Sequence, residues 1–261
     1  YIASSLKSFG YTVDEHRFTD GGALHRNLIA SRAGSGLQPE RIAVLAHYDT
    51  VAETPGADDN ASGVAVLLEV ARLLAGLSFE QTIDFIAVSL EENRSEDEPG
   101  SGTRGSIALA AHARQEGWRI GGVLVLESVA YAGDDVLQNV PPGVPVPVPK
   151  VGNFIALIGN ERSLNLVSAF LQAIERLKLE LPYVPLVVPG NGELLPDSRR
   201  SDHAPFWDQG YPALMVTDTT NFRSPHYHRP TDTLETLNLE FAAKVCRATA
   251  QAVIDLAQLV T

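Results

Sequence analysis

The sequence predicts an α/β fold in which a mostly parallel β-sheet is covered by helices on both faces. Short apolar runs alternate along the chain with longer segments of helical periodicity, which is typical of a doubly wound α/β protein. The apolar runs are continuous, and this favours strands that are buried on both faces. With 261 residues and 44% hydrophobic composition, the chain can bury one large core. We therefore expect a single globular domain over residues 1–261.

The predicted elements follow one another in this alternating pattern. Each strand is a run of apolar or β-branched residues bounded by polar or turn residues. The predicted strands are residues 11–18, 27–31, 42–47, 82–90, 123–127, 154–158, 183–188 and 213–217. Each predicted helix has apolar residues along one face. The predicted helices are residues 2–9, 62–74, 106–115, 164–177 and 239–259. Residues 141–149 are rich in Pro, which cannot donate ladder hydrogen bonds, so we predict an extended surface loop there.

Composition and charge narrow the classes of function. The formal net charge is −12, from 32 acidic and 20 basic residues, which argues against nucleic acid or an anionic membrane surface as the main partner. A metal or a cationic substrate suits this balance better. Cys246 is the one cysteine, so an internal disulfide and a thiolate metal site are both excluded. Any metal must be held by His, Asp and Glu.

The sequence says less about compartment and assembly. No run approaches the roughly 20 apolar residues that a membrane-spanning helix needs, so we expect a soluble protein without a transmembrane segment. The chain starts at Tyr1, already in a helical pattern and without Met, so an upstream signal for export remains an open alternative. The sequence pattern does not indicate an oligomeric state.

Polar residues follow the predicted strands at their carboxyl ends, where ligands collect in open α/β sheets. His47 ends one strand, and Asp49 lies two residues further on. Residues two apart share a face of an extended chain. Asp49 is therefore expected to accept the second ring N–H of His47, as carboxylates often do for metal-bound histidines. A strand-end His beside a turn Asp is the simpler alternative.

Two pairs of adjacent carboxylates come next. Asp58 and Asp59 precede a helix, where one carboxylate would be enough for capping, so one of them can instead bridge metals. Glu91 and Glu92 follow a strand and should face different directions, so that one binds metal and the other accepts a proton. The alternative is a solvated acidic loop that continues through residues 96–98.

Two further clusters complete the set. Glu127 ends a continuous apolar strand, and a buried carboxylate there needs a cation or a hydrogen-bond donor. His226 and His228 lie in a loop that contains Pro225 and Pro230, and either His can be a ligand. A mixture of imidazole and carboxylate ligands suits Zn²⁺, with Mn²⁺ or Co²⁺ as substitutes.

As an ordered set, these motifs resemble the zinc aminopeptidases of metallopeptidase family 28, which are related to the glutaminyl cyclases. The resemblance spans nearly the whole chain. The motifs that carry it are His47-Tyr48-Asp49, Gly56-Ala57-Asp58-Asp59, Glu91-Glu92, Gly105-Ser106, Glu127, Ser201-Asp202-His203, and Tyr227-His228 followed by Asp232-Thr233. The resemblance implies a mixed, mainly parallel eight-stranded sheet flanked by helices, two zinc ions and a bridging water at the strand ends.

The resemblance also implies a ligand set. Asp58 matches the carboxylate that bridges both metals. Glu92 and His228 would complete one site, and His47 and Glu127 would complete the other. Between the two loop histidines, the resemblance thus selects His228.

The remaining matches concern catalysis and the surroundings of the ligands. Glu91 matches the general base and Asp49 the partner of His47. Asp59 matches the residue that a cis peptide bond joins to Asp58. Asp232 is an expected orienting partner only. The activity implied is removal of the first residue from peptides with a free N-terminus.

This sequence departs from the family pattern in three places. Glu127 stands where many relatives carry Asp, and residues 93–104 form a longer acidic insert that either borders the entrance or is simply solvated. Some bacterial relatives have an oxyanion-stabilising Tyr just before the Ser-Asp-His segment, but this chain has none there. That role stays open, with Arg200 as a candidate, and His203 stays unassigned.

Two rival functions remain at this point. A glutaminyl cyclase would use one zinc ion on the same fold, whereas the retention of both His47 and Glu127 favours two. A catalytically inactive binding domain is expected to lose ligands, and all five positions and the base are retained here.

Overall fold

An eight-stranded β-sheet forms the centre of the computed structural model, which describes residues 1–95 and 97–260. The strands are β1 (Thr12–Asp20), β2 (Ala23–Arg32), β3 (Arg41–His47), β4 (Thr82–Val88), β5 (Ile120–Glu127), β6 (Ile155–Asn160), β7 (Tyr183–Val188) and β8 (Ala213–Thr217). The helices are α1 (Ile2–Ser8), α2 (Gly63–Leu74), α3 (Arg104–Gln115), α4 (Leu164–Arg176), α5 (His203–Asp208) and α6 (Leu239–Ala257).

The strand order is β1-β2-β4-β3-β5-β8-β6-β7. The pairs β3–β4, β3–β5, β5–β8 and β6–β7 are parallel, and β1–β2, β2–β4 and β6–β8 are antiparallel. The predicted fold class, a mixed and mainly parallel eight-stranded sheet flanked by helices, is therefore confirmed.

Continuous apolar strands produce a core on each face of this sheet. Every residue of β4 and β8 is buried, as strands covered on both faces require. On one face the core includes side chains of α1, α2, α4 and α6, among them Leu6, Leu67 and Phe170. On the other face, Leu109 of α3 and Trp207 of α5 pack against the sheet.

The observed elements differ from the predicted ones mainly at the ends. Strands β1 and β2 are longer than predicted because they form one hairpin, with Gly21 and Gly22 at positive φ in its turn. The six-residue helix α5 was not predicted, since it is too short to show a period. Residues 141–149 form irregular loop structure, as predicted. No helix within the described residues combines the length and apolar character needed to cross a bilayer.

The parallel strands bring their carboxyl ends to one edge of the sheet. His47 is the last residue of β3 and Glu127 the last residue of its neighbour β5. Glu91 and Glu92 follow β4, which pairs with the edge of β3 opposite to β5. The fold thus collects residues that are distant in sequence at a single edge.

Truncation of a central side chain should destabilise the fold. Leu124 of β5 is fully buried, so Leu124→Ala is expected to lower the free energy of unfolding by about 2–5 kcal/mol through lost contacts and a residual cavity. Leu37→Ala is the matched control because Leu37 is fully exposed. Urea denaturation measures both variants, and equal stabilities of the two would contradict this packing.

Candidate metal centre

Five side chains converge at the carboxyl edge of the sheet. His47 Nε2 lies 3.2 Å from Asp59 Oδ1 and 3.5 Å from Glu127 Oε2. On the other side of Asp59, His228 Nε2 lies 3.3 Å from Asp59 Oδ2 and 3.1 Å from Glu92 Oε2. These atoms form two groups of three potential metal ligands, and Asp59 belongs to both groups.

The shared carboxylate corrects the expectation that Asp58 takes this position. The side chain of Asp58 instead points away from the cluster, where its Oδ1 accepts the N–H of Ala130 at 3.0 Å. Burial raises the pKa of Asp58 well above its usual range, and the Asp218 carboxyl that hydrogen-bonds to it adds to this effect. Asp58 thus interacts with Asp218 and Ala130, and it is not a member of either ligand group.

The local backbone explains why neighbouring aspartates face different ways. Residues Ala57–Ser62 form a single π-helical turn, inside which Asp59 has the non-helical angles φ −103° and ψ 91°. This break directs Asp59 to the cluster and leaves Asp58 facing β5 and the loop that follows it. The cis peptide bond lies between Asp59 and Asn60, one residue later than expected.

Hydrogen bonds with Asp232 and with the end of β5 hold this turn. The Asp232 carboxylate accepts the N–H of Asp58 at 2.9 Å and that of Asp59 at 3.2 Å. The Asn60 side chain donates to the carbonyl of Leu126 at 2.8 Å and accepts the N–H of Ser128 at 3.1 Å. The turn is thereby tied to the end of β5, next to Glu127.

Asp49 acts on this cluster differently from the prediction. His47 Nδ1 lies 3.1 Å from the main-chain oxygen of Asp49 and 3.7 Å from its carboxylate Oδ1. The carboxylate instead accepts the N–H groups of Glu91 and Glu92, each at 3.2 Å. Asp49 thus orients the imidazole through its carbonyl and positions both glutamates through its side chain.

Glu91 lies half-buried on the wall of the site and belongs to neither ligand group. Burial raises the pKa of Glu91 well above its usual range, and the carboxylates of Glu127, Asp202 and Glu92 act in the same direction, against the opposing influence of His47. Its carboxyl is therefore suited to accept a proton, and its position beside the ligands matches that task.

The donor set fits divalent cations. Within the described residues, His47 Nε2, Asp59 Oδ1, Glu92 Oε1 and His228 Nε2 are buried and have no hydrogen-bond partner, although buried polar atoms normally have one. Burial lowers the pKa of His228, but its contacts with Asp59 and Glu92 outweigh this and raise that pKa to about 9. The cluster thus attracts positive charge, and imidazole with carboxylate is a donor mixture that zinc accepts.

The structure separates the two loop histidines. The ring of His228 reaches the cluster and stacks on Tyr227, with ring centroids 3.8 Å apart. His226 instead places Nδ1 3.0 Å from Thr231 Oγ1. His228 has φ 55°, and this left-handed conformation lies outside what a sequence pattern reveals.

The Ser-Asp-His segment, residues 201–203, forms hydrogen bonds next to the ligand cluster. Ser201 Oγ donates to Glu127 Oε2 at 2.6 Å, and Ser106 Oγ donates to buried Asp202 at 2.5 Å. His203 lies apart from the cluster, where its Nε2 donates to the carbonyl of Ser198 at 2.7 Å. Sequence reasoning did not identify Ser201 as the partner of Glu127, since a single hydroxyl carries no spacing signal.

A cavity of about 520 Å³ opens over the cluster. Residues of the acidic insert, including Asn93, Pro99 and Thr103, border it, as one of the two readings of the insert predicted; Glu96 lies outside the described residues. Part of the wall is apolar and is made by Val144, Ile158, Leu186, Leu195, Met215 and Phe222. The site therefore offers a ligand both a charged centre and an apolar wall.

Comparison with known proteins agrees with this geometry. Residues 27–253 match the family model described as Peptidase family M28. The chain is 33% identical over 258 residues to the uncharacterized protein YfbL of Escherichia coli strain K12, a match that covers 94% of this chain and 75% of that protein.

Two solved structures illustrate the range of similar folds. The aminopeptidase from Aneurinibacillus sp. strain AM-1 superposes with a TM-score of 0.65 and 25% identity, covering 91% of this chain and 49% of that one. The glutaminyl cyclase of Porphyromonas gingivalis superposes with a TM-score of 0.67 and 22% identity, covering 98% and 86% of the two chains. This chain thus spans about half the length of that aminopeptidase.

The buried His203 should make stability depend on pH. Burial lowers the pKa of His203 to about 4, whereas an unfolded His titrates near 6.5. As the pH falls from 6.5 towards 4, the unfolded state binds a proton that the folded state excludes, so stability is lost. Replacement by Gln should remove roughly 2 kcal/mol of the loss that wild type shows between pH 7 and pH 5.

Urea denaturation at pH 7 and pH 5 measures this difference. His25→Gln, in the surface hairpin of β1 and β2, is the matched control and should follow wild type. Parallel pH profiles for His203→Gln and wild type would show that His203 does not resist protonation in the folded state.

Proposed function

This chain belongs to peptidase family M28, and from that premise we propose that it is a di-zinc aminopeptidase, which removes the first residue from peptides with a free N-terminus. One observation carries the proposal. Asp59 presents one carboxylate oxygen to His47 and the other to His228, and each imidazole has a second carboxylate beside it. This arrangement favours two ions that share one carboxylate over a single ion.

The five ligand residues would be divided evenly between the two zinc ions. His47 and Glu127 would hold one zinc ion, Glu92 and His228 the other, and Asp59 both. When bound, the two ions would supply Lewis acidity at the scissile carbonyl and would favour ionisation of water near neutral pH. The three carboxylates carry a charge of −3 and the two neutral imidazoles carry none. The ligands would therefore neutralise most of the +4 charge of two Zn²⁺ ions.

Glu91 would move the proton. Because Asp49 holds the N–H groups of both Glu91 and Glu92, the base and the ligand keep a fixed relation to each other. Glu91 would accept a proton from the attacking water and return it to the nitrogen of the leaving amine. Hydrolysis then breaks the peptide C–N bond and releases a free amino acid.

The cavity supports an exopeptidase rather than an endopeptidase. Its carboxylates, including those of Glu91 and Glu127, can bind the ammonium group of a substrate N-terminus. Its apolar wall, which includes Ile158, Leu186 and Met215, suits an apolar side chain on the first residue. A hydrophobic pocket discriminates by about 1–3 kcal/mol for each methylene, so we propose Leu and Met as favoured N-terminal residues.

The cyclase alternative is weaker on the same observation. Similarity to the glutaminyl cyclase structure at 22% identity concerns the fold. A one-zinc enzyme would need only one of the two ligand groups, whereas both are formed here. Assays for amino acid release and for cyclisation of an N-terminal Gln separate the two activities.

Metal content should depend on Asp59 and not on Asp58. Wild-type protein loaded with zinc is expected to hold two ions per chain, and Asp59→Ala should hold fewer than one because it removes the shared ligand. Asp58→Asn is the matched control, since Asp58 bonds to Ala130 and Asp218 outside the cluster. Mass spectrometry of the native protein counts the ions. Zinc loss in Asp58→Asn with full retention in Asp59→Ala would reverse the assignment.

Turnover should depend on Glu91 without a change in zinc content. Glu91→Gln keeps the shape of the side chain but cannot accept a proton, so kcat on Leu-p-nitroanilide is expected to fall about 10²–10⁴-fold. Glu98→Gln, an exposed change in the acidic insert that follows Glu92, should leave kcat unaltered. If Glu91→Gln retained wild-type kcat with two zinc ions bound, another group would be the base.

A further inference from the structure

The cavity over the metal ligands also contains two arginines, and they differ in their contacts. Arg199 is committed to the protein, since its Nη2 lies 2.8 Å from Asp208 Oδ2 and its Nη1 donates to the carbonyl of Asn191 at 2.6 Å. Among the described residues, Arg200 makes one hydrogen bond, from Nη1 to Asn221 Oδ1 at 3.1 Å.

The rest of the Arg200 guanidinium is available to a ligand. Its nearest carboxylate oxygen, Asp197 Oδ1, lies 3.7 Å away, and the side chain is 45% exposed. An arginine presents five N–H donors in a planar fork, so a single bond to Asn221 leaves other donors of this cavity-lining residue without a partner in the part of the chain that the structure describes.

Arg200 lies close to the metal ligands through the chain itself. The next residue, Ser201, donates its hydroxyl to Glu127 Oε2 at 2.6 Å, and neighbouring Cα atoms are about 3.8 Å apart. Arg200 also lines the same cavity as Tyr227 and His228, and the Tyr227 ring stacks on His228. Arg200 therefore shares a cavity wall with members of both ligand groups.

The cavity therefore presents both negative and positive side chains. Three carboxylates belong to the ligand groups, and the Arg200 side chain lies on the wall of the same cavity. A dipeptide carries the complementary pair, with an ammonium at one end and a carboxylate at the other. Each extended residue spans about 3.3–3.6 Å, so both charges fit within a cavity of about 520 Å³.

We propose that Arg200 binds the main-chain carboxylate of dipeptides, which makes dipeptides with a free C-terminus the preferred substrates of this site. The inference rests on the proposed aminopeptidase function and adds a substrate class to it. A guanidinium fork matches a carboxylate with two parallel hydrogen bonds, and an amide or an anilide cannot accept both.

Three substrates with the same first residue test the proposal: Leu-Leu, Leu-Leu-amide and Leu-p-nitroanilide. Wild type should cleave Leu-Leu with a kcat/KM at least about tenfold above that for Leu-Leu-amide, mainly through KM. Arg200→Gln should remove that preference by raising KM for Leu-Leu about 10- to 100-fold, and it should leave Leu-p-nitroanilide within about twofold of wild type.

Two further variants sharpen the result. Arg200→Lys keeps the charge and should recover part of the preference for Leu-Leu. Arg114→Gln, an exposed change on α3, is the control and should behave as wild type on all three substrates.

Four outcomes would overturn the proposal, each in a different way. A fall in kcat on all three substrates for Arg200→Gln would assign Arg200 to the oxyanion instead. An unchanged preference would mean that Arg200 does not bind the substrate carboxylate. Cleavage of none of the substrates by zinc-loaded wild type would overturn the aminopeptidase function itself, whereas cleavage of Leu-p-nitroanilide without preference for Leu-Leu would overturn only the role of Arg200.

Discussion

The Asp59 carboxylate is the constraint on which the site depends. It is buried, and it faces one imidazole with each oxygen, 3.2 Å from His47 and 3.3 Å from His228. Two further buried carboxylates lie beside those rings. Like charges at this density are costly to bury unless cations neutralise them. The surrounding protein therefore has to hold Asp59 in place while the charges on either side are balanced.

The fold meets this demand through strand ends and a rigid turn. The parallel pairs of β3 with β4 and β5 bring His47, Glu92 and Glu127 to one edge. The Asp232 carboxylate accepts a hydrogen bond from the Asp59 N–H, and the Asn60 side chain links the turn to β5. Function is thus concentrated at the position where open α/β sheets bind ligands, and the loops above it shape the cavity for a particular substrate.

The sequence predicts the strand-end residues of this site well and the turn residues poorly. His47 and Glu127 end continuous apolar strands, so their position follows from the strand period. Asp58 and Asp59 lie in an irregular turn, where no period says which of two adjacent carboxylates faces the site, and the structure brings Asp59 rather than the predicted Asp58 to the cluster. The contact of the Asp49 carboxylate with main-chain N–H groups depends on loop geometry, which local patterns do not encode. The sheet itself was predictable because buried strands are continuous in sequence.

The central claim is that one carboxylate, that of Asp59, lies between two zinc ions. Anomalous X-ray diffraction from crystals of the zinc-loaded protein, measured on both sides of the zinc absorption edge, locates the ions directly. The account predicts two peaks, one beside His47 and Glu127 and the other beside His228 and Glu92, with Asp59 in contact with both. A single peak, or a peak beside Asp58, would contradict it.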